Sequence, residues 1–184
     1  MNEQTAQETF ADVRTLFKET EALIAQTTHD SNDLLRRLED LFGIQWERML
    51  EALVKPPALG LFRERGIEVH HTYQRLESQI NGQTVKLDIV LESGQATVVI
   101  EMKSLVKAED VDDLLQDLAD VLFFFTRYEG RRVYGGIAGL EFAEGADRYA
   151  YRQGLFVLGL TGDEMVSIKN DAKFRPRDFG KTPA

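Results

Sequence analysis

The sequence predicts an α/β domain, a mixed β-sheet flanked by helices, behind an N-terminal coiled-coil helix. Three observations predict it. Two apolar strand-like runs, Lys86 to Leu91 and Val98 to Lys103, flank a Ser93-Gly94 hairpin signal. An amphipathic stretch from Glu109 to Arg127 follows, and strand and helix patterns then alternate. Ahead of all this, residues 8–42 carry a heptad grain.

The heptad grain comes first in the chain. Phe10, Phe17, Ile24, Ser31 and Leu38 recur every seven residues, with Val13, Thr20, Thr27, Leu34 and Leu41 three further on. That is an a/d seam, apolar at both ends and polar in the middle, as in a self-associating coiled coil. The other reading is an amphipathic helix folded back on its own domain. His29-Asp30-Ser31-Asn32-Asp33 also offers a break, with Ser31 or Asn32 capping a second helix that runs to Val54. Lys55-Pro56-Pro57 should end that helix, because proline disfavours the helical conformation in the residue before it. Leu59 to Arg65 can form one more helical stretch, closed by Gly66.

Strands are expected at Ile67 to Tyr73, Thr84 to Leu91 and Ala96 to Lys103, with Asn81-Gly82 as the first turn. The helix from Glu109 carries Val111, Leu114, Leu118, Val121 and Phe125 on one stripe, and Asp110, Asp113, Asp117 and Asp120 on its other face. Arg132 to Leu140 reads as a strand with glycines, Ala143 to Gln153 as a helix, and Leu155 to Leu160 as a buried strand. Met165 to Lys169 is a last short strand, and residues 171–184 read as a loose basic tail.

Composition narrows the chemistry. The 184 residues are 43% hydrophobic and 29% charged, an ordinary globular balance. There is no cysteine, which excludes disulfides, zinc–thiolate sites and thiol catalysis. Met1-Asn2-Glu3-Gln4 has neither a basic region nor an apolar core, and no apolar run approaches a membrane span. A cytoplasmic protein without a membrane partner is therefore expected. The net charge of −9 opposes nucleic-acid binding as a whole, although a basic patch can coexist with an acidic remainder.

Both central strands carry charge where a buried strand should not. Asp88 lies within Lys86 to Leu91, and Glu101 and Lys103 close Val98 to Lys103. Such groups are rarely buried without a partner or a metal. If Ser93-Gly94 is a two-residue loop, Val90 faces Thr97, Asp88 faces Val99 and Lys86 faces Glu101. Asp88 and Glu101 then become diagonal neighbours on one face, about 7–8 Å apart at the backbone. Both carboxylates can reach one hard divalent cation from there, and Lys103 shares their face by the period of two. A three-residue loop would flip the parity and separate them. His70 and His71 are adjacent, point opposite ways on a strand, and read as surface residues. Phe123 and Phe124 lie off the apolar stripe, as core or as a patch for a second subunit.

Asp88 followed by Glu101-Met102-Lys103 resembles the signature of the PD-(D/E)XK, restriction-endonuclease-like nuclease superfamily. Gly43-Ile44-Gln45-Trp46-Glu47, with Leu50 and Leu53, resembles its first core helix, and Leu61 to Val69 the turn into the first strand. The chain is also similar to uncharacterised prokaryotic proteins that join a nuclease-like domain to a coiled-coil N-terminus. Leu87 stands where the superfamily's name-giving proline would be.

The resemblance implies a nuclease-like domain over residues 43–170, behind an oligomerisation helix over 1–42. It implies Asp88, Glu101 and Lys103 as catalytic residues. Asp88, Glu101 and Glu47 would hold Mg2+ or Mn2+, with Glu51, one turn on, as a rival for Glu47. Gln116 occupies a helix where some members place a site glutamine. The implied activity is metal-dependent hydrolysis of DNA. The alternative class is a catalytically silent nuclease-fold protein serving as an oligomeric scaffold.

Overall fold

The computed structural model describes residues 54–159 and 166–181. The expected coiled-coil helix over 1–42, together with Glu47 and Glu51, lies outside the described residues. Among the described residues no helix is long and apolar enough to cross a membrane.

A helix, α1, occupies residues 54–64 and runs through Pro56 and Pro57. Lys55-Pro56-Pro57 therefore does not end a helix as the sequence reading expects, and Leu59 to Arg65 is not a separate stretch. Burial of Val54, Ala58 and Phe62 along one face outweighs the local preference. The helix ends where expected: Gly66 takes a φ of 76°, while its N–H bonds to the Arg63 carbonyl and that of Ile67 to the Phe62 carbonyl. This is a Schellman closure, which needs a residue at ease with positive φ. Six strands follow in one sheet whose spatial order equals their chain order: β1 His71–Ile80, β2 Gln83–Glu92, β3 Ala96–Val106, β4 Arg132–Phe142, β5 Phe156–Gly159 and β6 Ser167–Ile168. Helix α2, Ala108–Phe124, and a 3-10 turn at Thr126–Tyr128 connect β3 to β4; α3, Ala146–Arg152, connects β4 to β5. β3, β4 and β5 pair in parallel, while β1, β2 and β6 pair antiparallel. The sheet is mixed, as the sequence predicts.

Each face of the sheet has its own core. On one side Val54, Ala58 and Phe62 of α1 pack on Ile89, Leu91, Val98, Ile100, Met102 and Phe156. On the other, Val111, Leu114, Leu118 and Val121 of α2 pack on Val90, Val99, Ile137, Leu155 and Val157. Coverage on both faces explains the unbroken apolar run Val98-Val99-Ile100, since a central strand has no solvent side.

Three further expectations need correcting. β1 starts at His71, later than Ile67, because Ile67 and Val69 are core residues in an extended connection outside the ladder. The strand itself is a largely exposed edge, and an edge strand shows little apolar periodicity. The β2–β3 loop is longer than two residues. Glu92 pairs with Thr97 and Val90 with Val99, while Ser93 Oγ accepts the N–H groups of Gln95 and Ala96. The register therefore shifts by two residues, and parity is kept.

The tail is not loose through residue 181. Phe174 is buried against Phe156 and Tyr151, Asp178 accepts the Val133 N–H, and the Phe179 N–H donates to the Val133 carbonyl. Two aromatic anchors give this polar stretch enough buried surface to dock.

Candidate active site

β2 and β3 part company at the charged residues. Their ladder ends at Ile89 opposite Ile100, and the next position in that register would set Asp88 directly opposite Glu101. The β1–β2 pairing also skips this point, where Arg75 takes a φ of 50°. β2 changes the side it presents here: Val85 and Leu87 pack in the α2-side core, Ile89 and Leu91 in the α1-side core. The strand pair thus opens at Asp88.

An opened ladder leaves backbone donors to be satisfied, and Asp88 supplies the acceptor. Its Oδ2 receives the Met102 N–H at 2.9 Å. Glu101 faces Ile137 across the parallel pairing, and Ile137 faces Val157; both belong to the α2-side core. Glu101 is thereby placed on the α2 face. Its Oε1 lies 3.0 Å from Lys103 Nζ, with only 17% of the glutamate side chain and 32% of the lysine exposed. An ion pair this sheltered is screened less than one in open solvent.

Asp117 of α2 completes the arrangement, and the sequence reading misplaces it. It lies one helical turn from both Leu114 and Val121, so it belongs to the flank of the buried stripe and not to the solvated face. Its carboxyl pKa is raised, first by burial, then by the charges of Asp113 and Asp120; Lys103 opposes the shift and Asp88 adds to it. Asp117 therefore feels the charges of both Lys103 and Asp88. The available signal was this stripe-flank position, since a carboxylate there must point at the sheet.

The remaining candidates fall elsewhere. Gln116 donates to Asp120 at 2.7 Å on the exposed side of α2. His70 and His71 are exposed. Arg131 lies 3.7 Å from Glu92, toward the hairpin loop, and Lys86 pairs with exposed Glu77. Arg75 lies between Gln74, paired with Ile89, and Leu76, paired with Leu87, at the position the β1–β2 ladder skips beside Asp88. Among the described residues no three His, Cys, Asp or Glu side chains form a metal-holding group. Phe123 is half exposed and stacks edge-on against Phe124.

No protein-family model matches the chain, and no curated protein matches it. Among solved structures, a repair endonuclease from Pyrococcus abyssi is similar at 16% identity and a TM-score of 0.39, over 72% of this chain and 47% of that one. EndoMS in complex with dsDNA is similar at 19% identity and a TM-score of 0.37, over 57% and 42%. A crystal structure of a protein of unknown function is similar at 18% identity and a TM-score of 0.39, over 55% and 54%. The chain spans about half the length of the solved structures it matches. These likenesses are distant, and the functional reading rests on the chain's own residues.

Proposed function

We propose that this chain is a metal-dependent nuclease of the PD-(D/E)XK type, hydrolysing phosphodiester bonds in DNA. The observation that carries the reading is the opening of the β2–β3 ladder at Asp88, where Asp88 accepts the Met102 N–H and Glu101, one residue before Met102, pairs with Lys103. A silent fold has no physical reason to keep three charges in that opening.

Magnesium and manganese prefer carboxylate oxygen, and the donor set suits them. The carboxyl pKa of Asp117 is raised first by burial and then by the like charges of Asp113, Asp120 and Asp88, and a divalent cation nearby would relieve the like-charge part. Asp88 and Glu101 would hold the ion, with Glu47 or Glu51 as a third ligand. When bound, it supplies an activated water and neutralises charge on the scissile phosphate. Lys103 would offer its ammonium to the attacking water and the phosphate oxygens. Glu101 anchors that ammonium through their 3.0 Å contact. Asp88 ties the opening together through the Met102 N–H.

The test is cleavage of mixed DNA and RNA substrates with and without Mg2+ or Mn2+, comparing the parent with Asp88→Asn. Metal-dependent cleavage by the parent alone is expected. Equal activity in both proteins sinks the assignment.

One observation favours a second reading, a silent nuclease fold acting as an oligomeric interaction module. The α2 flank of the opening is acidic, through Asp113, Asp117 and Asp120. No cleavage by the parent under either metal, with self-association through residues 1–42, would select it.

A further inference from the structure

The acidic net charge conceals a basic region. Residues 146–152 and 166–181 together carry seven Lys or Arg against three Asp, in a chain whose net charge is −9. Both segments meet at one cleft of about 320 Å³ between α3 and the stretch after β6. Arg148, Arg152 and Lys169 line it with a single carboxylate, Asp147. All three cations are exposed, and among the described residues none has a carboxylate partner. Tyr151 and Asn170 complete the wall. Asn170 is fixed there, because its side chain accepts the Val157 N–H and donates to the Leu155 carbonyl.

The cleft is in line with the candidate active site. Lys103 pairs in register with Gly139, and Gly139 with Gly159. All three stand two residues beyond Glu101, Ile137 and Val157, on the same α2 face. The Lys169 side chain lies directly over Gly159, where a Cβ would collide with it, and its ammonium sits 5.2 Å from the Phe142 ring. Two strand spacings separate Lys103 from Gly159, about 10 Å at the backbone, a span of about three nucleotides along one strand.

We infer that Arg148, Arg152 and Lys169 form a phosphate-binding subsite for the polynucleotide backbone, holding a strand about three nucleotides from the bond at Asp88 and Lys103. The inference rests on the nuclease reading. It supplies a positive surface on a chain whose net charge is −9.

The experiment uses fluorescein-labelled single- and double-stranded DNA and RNA, with Ca2+ replacing Mg2+, and reads anisotropy across a salt series. The triple variant carries Arg148→Gln, Arg152→Gln and Lys169→Met; the methionine keeps an apolar stem over Gly159. Its affinity should fall at least about tenfold and its salt slope become shallower by about two to three, equally for every sequence. Should the triple variant melt below the parent, Lys169→Glu alone must show the same loss. If the parent binds and the variants bind equally with the same slope, the subsite is wrong; metal-dependent cleavage abolished by Asp88→Asn would then leave the nuclease reading standing. If the parent neither binds nor cleaves any of the four, both fall. Inorganic phosphate that stabilises the parent but not the triple variant, without oligonucleotide binding, overturns the polynucleotide assignment.

Discussion

Asp88 has a structural job and, on the proposed function, a second as a metal ligand, and two substitutions separate them. Its Oδ2 accepts the N–H of Met102, a fully buried residue at the end of the β2–β3 ladder. Asp88→Ala removes that acceptor and leaves a buried donor unpaired, which costs about 1–3 kcal/mol. For a chain of this size each kcal/mol moves the melting midpoint by about 2–4 °C, so Asp88→Ala should melt about 2–12 °C below the parent. Asp88→Asn keeps an oxygen in place and removes the charge that pushes on Asp117. It should melt within about 2 °C of the parent, or above it. Thermal melts in EDTA, followed by circular dichroism, measure both. Equal melting of the two variants would refute the claim that the Met102 N–H depends on Asp88. The comparison also makes asparagine the right variant for activity, since alanine confounds a lost ligand with a loosened strand pair.

Added Mg2+ or Mn2+ should raise the melting midpoint of the parent and raise that of Asp88→Asn less, because an ion that binds only the folded state stabilises it by mass action. An identical rise in both proteins would locate the ion elsewhere. The raised pKa of Asp117 means that the folded state holds its proton more tightly than the unfolded chain does. Stability should therefore increase as pH falls through the folded value, levelling off below the ordinary value of 3.8. Asp117→Asn should melt above the parent at neutral pH, with the gap closing in acid; a lower midpoint at neutral pH would show that the charge is compensated. Deletion of residues 1–30 should lower the oligomeric state by light scattering and leave a folded domain with an unchanged metal response. An unchanged mass would move the interface elsewhere, with Phe123 and Phe124 the first place to look.

Several features of this chain were legible residue by residue. Asn81 and Gly82 take φ values of 52° and 81°, the tight turn their identities predict. Gly66 closes α1, the stripe of α2 faces the sheet, and the unbroken apolar run of β3 lies between two cores. The shared face of Glu101 and Lys103 was also legible, because residues two apart on one strand point the same way. The side taken by Asp88 was not, because β2 changes the side it presents at that residue. What the sequence could not determine involves partners distant in the chain. The β2–β3 register turned on Ser93 capping its own loop, which shifts Asp88 from a diagonal to a direct alignment with Glu101. Asp117 joined the site because α2 packs across β3 and β4, and residues 171–181 docked because Phe174 found Phe156 and Tyr151. Propensity and periodicity act between near neighbours. Register, docking and the convergence of charges depend on which distant surfaces bury each other, and only the folded chain decides that.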